Sequence, residues 1–249
     1  MSGCKHAIWK TLSAGAALFL LLPTLALGEI GVCPPYSKTF GPDDPLEEIG
    51  AFLTEINLRP GGGTLVLEPG TYGSWREAFV LGEFFVSGVV CVESSSGPDD
   101  LPQVYQRFHV QSGGILTVTA TALRAHQQNI TVSVGGTVFA SAAWINAMEV
   151  SGMAYVVDTS MGYVTNIGTL IMVRGGMKLP DQPYTAATLR NEGVAFLDRI
   201  VVRNAFGHDN FDTYEGGLKN YDGGVLTLSG ASMAGNYGCY CGLYCGCGG

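Results

Sequence analysis

The sequence predicts an all-β chain wound as a parallel solenoid of about eight rungs, with one helix at its N-terminal end. Three observations predict it. A glycine followed by four residues, the second and fourth apolar, recurs eight times; successive glycines stand 16 to 31 residues apart; and one segment of helical periodicity precedes the first repeat. With 36 glycines in 249 residues, 14% charged and 47% hydrophobic, the chain is too apolar for a disordered one and fits a single extended domain.

The repeats open at Gly63, Gly88, Gly114, Gly136, Gly152, Gly168, Gly193 and Gly224. In residues 110–140, VQSGGILTVTATALRAHQQNITVSVGGTVFA, Gly114 leads to Leu116 and Val118, and Gly136 to Val138 and Ala140. The other units supply Leu65 and Leu67, Val90 and Val92, Ala154 and Val156, Leu170 and Met172, Ala195 and Leu197, and Leu226 and Leu228. Side chains alternate across a strand, so each pair points the same way, into an apolar stack. An antiparallel meander would alternate too, but short turns would set its spacing and nothing would place a glycine before every strand. In a parallel coil the same corner recurs on every rung and calls for the same φ-permissive residue, while insertions enter the loops.

Asp44 can cap a helix beginning at Pro45, with Glu47 and Glu48 in its first turn and Leu46, Ile49, Phe52, Leu53 and Ile56 on one face. Pro60 and Gly61 end it. Laid across the open apolar end of the first rung, residues 44–58 form an N-terminal cap. The domain plan is then 29–62 for the N-terminal segment with its capping helix, 63–238 for the coil and 239–249 for a Cys/Gly-rich tail.

Residues 1–28 read as a secretory signal peptide: Lys5 and Lys10, the apolar run Ala14 to Leu22, then Pro23 and the small residues Ala26 and Gly28, with cleavage before Glu29. The apolar run is short for a membrane anchor and Pro23 breaks it, so the mature chain has no expected transmembrane segment. Cleavage reduces 13 basic residues to 11 against 21 acidic ones, a formal charge of −10, which argues against nucleic acid and anionic membrane as partners. The six remaining cysteines, Cys33, Cys91, Cys239, Cys241, Cys245 and Cys247, are an even set suited to disulfides in a secreted chain, with pairing left open. The tail, CYCGLYCGCGG, also admits a four-thiolate metal site on paper, but its Cys-x-Cys spacing is tighter than such sites use and secreted thiols oxidise. No metal and no cofactor is expected. Asn129-Ile130-Thr131 is an N-glycosylation acceptor sequence.

The helix followed by PGGGTLVLEPGTY resembles the start of the right-handed, single-stranded parallel β-helix of the pectate-lyase-like superfamily. GGLKNYDGGVLTLSGASMAGN is similar to the Gly-Gly-aliphatic, Asn-ending repeat of polymorphic outer membrane proteins. The resemblance covers roughly residues 40–238 and implies a secreted or surface location. It does not imply one activity, because this fold serves lyases, hydrolases, epimerases and adhesins alike.

In the carbohydrate-active members the substrate groove follows the outside of a parallel sheet. Here the first and third residues of each unit point outward, and none is charged. Glu68, Glu93 and Asp198 stand one outward position further along, where Glu68 and Glu93 would form a carboxylate pair on adjacent rungs. Asp198, Arg199, Arg203, His208, Asp209 and Asp212 form a second charged group. Its GHD is similar to part of the polygalacturonase signature, but the paired Asp and Arg-x-Lys motifs of that family are absent. Glu68, Glu93, Asp198, Asp209 and Asp212 are thus candidate catalytic carboxylates without a complete motif. The outward face offers instead an apolar stripe, Phe139, Tyr155, Ile171 and Phe196 on four consecutive rungs. It either lies under the chain's own insertions or docks a partner, a polysaccharide or a cell-surface protein. The expectation is a non-catalytic structural or adhesive module, with a polysaccharide lyase or glycoside hydrolase as the alternative.

Overall fold

The computed structural model describes residues 32–124, 129–177, 188–203 and 217–234. The expected signal peptide, His208, Asp209, Asp212 and the tail cysteines Cys239, Cys241, Cys245 and Cys247 lie outside the described residues. Among the described residues from Cys33 onward the protein is mostly β with one short α-helix, and its strands make an all-parallel, strongly curled sheet consistent with a β-helix-like fold.

Every strand pairing among the described residues is parallel, and each pass of the chain pairs with the passes before and after it along three successive stretches. The first, face A, runs through Ser37–Phe40, Gly63–Leu67, Val89–Ser94, Ile115–Thr119 and Thr137–Ser141. It continues through the opening residues of Met153–Asn166, Thr169–Met177 and Val194–Arg203 to Val225–Ser229. Face B is short, from Thr71–Tyr72 through Gln103–Val104 and Ala122–Leu123 to Ser232–Ala234. Face C runs from Glu83–Val86 through Arg107–Val110 and Ile130–Val132 to Thr188–Asn191 and Gly217–Asn220.

The alternating apolar residues of face A fill the interior. From Gly88 to Gly224 the strands pair in the register the alternation predicts, so that Leu116 lies opposite Val90 and Val138. The first unit departs from it: Gly63 pairs with Val90, and Leu65 with Val92. The three consecutive glycines 61–63 offered three starting points, and a shift of two keeps every side chain on its own face. Leu65 and Leu67 are accordingly still fully buried. The last unit differs too, with Leu226 half-buried and Leu228 44% exposed.

The glycines have two separate jobs, which corrects the expectation of a φ-permissive opening residue. Positive φ belongs to the preceding glycine, as at Gly113 (φ +81) and Gly135 (φ +80). The opening glycine is needed for closeness: a Cβ on Gly114 would sit 2.2 Å from the Val86 carbonyl oxygen.

Helix α1, Leu46–Leu58, packs against strands Gly63–Leu67 and Val89–Ser94 and buries Ile49, Phe52, Leu53 and Ile56. Ile56 fits over Gly63, where a Cβ would come within 2.4 Å of it. Asn57 fastens the helix end, its Oδ1 accepting from the N–H groups of Ser87 and Gly88 at 2.9 and 3.0 Å. Asp44 does not cap the helix as expected. No side chain does, and the Asp44 carboxylate accepts the Gly41 N–H at 2.7 Å instead. Strand Ser37–Phe40, which precedes the helix and pairs with Gly63–Leu67, was not foreseen.

On face C one inward row changes character along the stack. Val86, Val110, Val132 and Val150 are followed by Asn166, Asn191 and Asn220. Their amides join head to tail: Asn166 Nδ2 donates to Asn191 Oδ1, and Asn191 Nδ2 to Asn220 Oδ1, both at 2.6 Å.

Candidate functional site

The outward residues of face A form straight rows, because parallel in-register pairing stacks equivalent positions. One row reads Thr64, Cys91, Thr117, Phe139, Tyr155, Ile171, Phe196 and Thr227. Its first members are shut in. Thr64 is 1% exposed and donates through Oγ1 to the Pro34 carbonyl at 2.6 Å, Cys91 is disulfide-bonded to Cys33, and Thr117 is 5% exposed. Cys33 and Pro34 thus lie over this row at its N-terminal end, and the disulfide holds them there. Phe139, Tyr155, Ile171 and Phe196 are half-buried on four consecutive passes.

Charge lines one side of this stripe. Immediately after the face A strands, Ala120, Ala142, Asp158, Arg174 and Arg199 adopt left-handed backbone conformations with φ between 46° and 51°. The column stacks Arg174 beside Asp158, and the guanidinium grips the carboxylate with two bonds, Nε to Oδ1 at 2.9 Å and Nη2 to Oδ2 at 2.8 Å. On the next pass Arg199 Nε meets the Asp198 carboxylate at 2.8 Å. These bonds have electrostatic consequences. The Arg174 hydrogen bonds hold Asp158 below the usual carboxylate range, and Arg199, then the Ser229 hydroxyl, do the same for Asp198. Asp158 and Arg174 each follow a member of the stripe, Tyr155 and Ile171, by three residues on paired strands, which places the ion pair beside the stripe.

The candidate catalytic carboxylates are arranged otherwise than expected. Glu93 lies opposite Val66 and Thr119, while Glu68 falls beyond the Leu67–Ser94 pair. Two residues of strand, roughly 7 Å, therefore separate their rows, and the expected adjacent pair is not formed. The same two-residue shift that moved Gly63 is the cause. Glu93 instead stands within 4.8 Å of both disulfide sulfurs. Asp198 lines up with Glu93 in one row but five passes away. It is an ion-paired anion, whereas a general acid needs a raised pKa.

Asn129, the expected glycan acceptor, is fully buried, and its Oδ1 accepts the Ala147 N–H at 2.9 Å. In the folded chain the side chain closes the backbone where a glycan would need it in solvent, which corrects the expectation. The left-handed column and the Asp158–Arg174 pair escaped sequence reasoning. Their only trace was a charge at the same offset after Gly152, Gly168 and Gly193.

No family model, curated protein or solved structure matches this chain. Geometry alone therefore carries the functional reading. Among the described residues no helix is long and apolar enough to cross a membrane.

Proposed function

We propose that this protein is a secreted or surface-displayed module, wound as a right-handed parallel β-helix, that holds a glycan along face A without chemistry of its own there. The observation that carries the reading is the half-buried row Phe139, Tyr155, Ile171 and Phe196, in register over four passes. Aromatic and aliphatic side chains in such a row present flat apolar surface to sugar faces. The neighbouring Asp158–Arg174 and Asp198–Arg199 pairs supply acceptors and donors for hydroxyl groups at the edge. A parallel crossover is right-handed in nearly all known cases, which supports the handedness. The Cys33–Cys91 disulfide supports an oxidising compartment, and the capping helix, together with the two resembling repeats, supports membership of the β-helix class. Among the described residues the lyase or hydrolase alternative has no observation in its favour, since Glu68 and Glu93 are out of register and Asp198 is ion-paired, while Asp209 and Asp212 lie outside the described residues.

The test is a triple variant, Phe139→Ser, Tyr155→Ser and Phe196→Ser, measured for melting and for retention on insoluble polysaccharides. These side chains point away from the interior, so the variant should fold and lose at least about 30-fold in affinity, the usual effect of removing central aromatic anchors. Early melting with unchanged binding would show that the stripe serves internal packing. Binding by the wild-type chain to a cell-surface protein, with no polysaccharide retained, would reject a glycan as the occupant.

A further inference from the structure

Face C carries a cluster that the binding reading does not use. Glu83, His109 and Ser133 come from three successive passes of the chain. Parallel pairing sets Phe85 directly opposite His109 and Glu83 opposite Arg107, and the Ser133 N–H donates to the Val110 carbonyl at 2.9 Å, which fixes Ser133 beside the histidine. The imidazole then bridges the other two side chains. Its Nε2 lies 2.9 Å from Ser133 Oγ, and its Nδ1 lies 3.4 Å from the Glu83 carboxylate. Hydroxyl, imidazole and carboxylate in that order are the arrangement in which a base activates a nucleophile while a third group orients the base.

The surroundings suit a reacting ester. Ser133 is half-buried, the His109 side chain is 27% exposed, and Glu83, which also meets Arg107 at 4.0 Å, is 41% exposed. Apolar groups flank the pair: the half-exposed Phe85 ring stands 5.2 Å from the imidazole, and Val134, next to Ser133, is 74% exposed. Ser133 also opens a tight turn, closed by the Gly136 N–H on the Ser133 carbonyl, with Gly135 at φ +80. That turn bond uses neither the Val134 nor the Gly135 N–H, the two backbone donors that follow the nucleophile in the chain and are of the kind that stabilise an oxyanion.

We propose that Ser133, His109 and Glu83 form an acyl-transfer site that hydrolyses carboxylic esters of small apolar acyl groups. Ser133 Oγ attacks the ester carbonyl and passes its proton to His109 Nε2. The C–O bond to the alcohol then breaks, and the imidazolium protonates the departing oxygen. Water, deprotonated by the same nitrogen, attacks the acyl-serine, releases the carboxylic acid and restores the Ser133 hydroxyl. Glu83 is a positioning residue that holds the tautomer with Nδ1 protonated. The site stands apart from face A and does not depend on the glycan reading.

The experiment treats the full chain with an alkyl fluorophosphonate, whose fluoride an activated serine displaces, and follows Ser133 by peptide mass spectrometry. Ser133 should react at least about 100-fold faster in the folded chain than in urea, and His109→Gln should slow both labelling and p-nitrophenyl acetate turnover about 100-fold. Glu83→Gln should lower the labelling rate about 10-fold and Glu83→Asp should restore most of it, a rescue that a merely structural carboxylate would not show. Equal Ser133 rates in folded and unfolded wild-type chain overturn the proposal without recourse to any variant. So does a folded His109→Gln protein that labels like wild type.

Discussion

Replacing Asn191 with alanine breaks the amide ladder at its centre, and the structure sets the size of the loss. Asn191 is fully buried. Its Oδ1 accepts from Asn166 Nδ2 at 2.6 Å, and its Nδ2 reaches Asn220 Oδ1 at 2.6 Å as well as the Gly193 and Val225 carbonyls at 3.1 and 3.2 Å. Alanine removes the equivalent of three bonds, one at Oδ1 and two from the two Nδ2 hydrogens, each contributing about 1 kcal/mol net, and takes the partner from the half-buried Asn220 Oδ1 at a further cost of up to about 2 kcal/mol. Asn166 Nδ2 keeps its bond to the Val194 carbonyl at 3.0 Å, so its loss is partial. The expected destabilisation is about 3–5 kcal/mol, a fall in Tm of roughly 10 °C for a domain of this size. Circular-dichroism melts and urea titrations measure it, with Thr165→Ala on the outer side of the same face as a control that should stay within about 0.5 kcal/mol. A cost for Asn191→Ala below about 1 kcal/mol would refute the view that the amides, rather than apolar stacking, hold the later passes together. Hydrogen exchange should rise first in Val194–Arg203 and Val225–Ser229, the strands whose backbone the ladder anchors.

Two further perturbations test other parts of the account. Leu116→Asp places an unpaired charge among Val90, Val118 and Val138, all fully buried, and should abolish cooperative folding; a melt like that of wild type would show the register to be wrong. Acidification tests the Asp158–Arg174 pair. Because the folded pKa of Asp158 lies below its unfolded value, its stabilisation is present above the unfolded pKa of about 3.9 and is lost as pH falls through the lower folded value. Asp158→Asn should therefore lower Tm slightly near pH 7, where the pair is intact, and converge with wild type below about pH 4, so that its acid decline is flatter; identical profiles would show the exposed pair to be thermodynamically idle.

The sequence made face A legible and left faces B and C largely unread, for a physical reason. On face A the strands from Gly63–Leu67 onward follow a glycine and keep their second and fourth residues apolar, so Val138, Val156 and Leu197 point inward and Phe139, Tyr155 and Phe196 outward without any knowledge of the turns. The period of two fixes parity but not position, which is why the Gly63 unit slipped by two and carried Glu68 away from Glu93. Face C lacks a glycine marker, and its strands start after segments of unequal length. Nothing in the linear order brings Glu83, His109 and Ser133 together, because 26 and 24 residues separate them. The asparagines were visible in the chain, but a buried ladder shows only once Asn166, Asn191 and Asn220 are known to share one inward row. The left-handed column was harder still, since Ala120, Asp158 and Arg174 have no common chemistry and only their backbone repeats.

In a parallel stack every row samples one environment again and again, so a change of residue type along a row marks a change in what that row must do. The inward row of face C turns from valine to asparagine at Asn166, after Asn129 has already closed the backbone two passes earlier. The outward row of face A turns from Thr64, Cys91 and Thr117, shut in at the N-terminal end where the Cys33 segment lies, to the four large side chains from Phe139 to Phe196. Covered residues in such a row need only be small enough to fit, and these are. Large apolar groups that begin where that cover has ended are not explained by packing against the N-terminal segment, and each exposes part of its surface at a cost of about 25 cal/mol per Å² left in water. That cost recurs on four passes in succession, beside carboxylates whose charges are fixed by their arginines. Under the proposed function, the occupant of such a row is a ligand that repeats along the same axis. A linear glycan has that property, and the triple serine variant separates it from a protein partner or an internal cover.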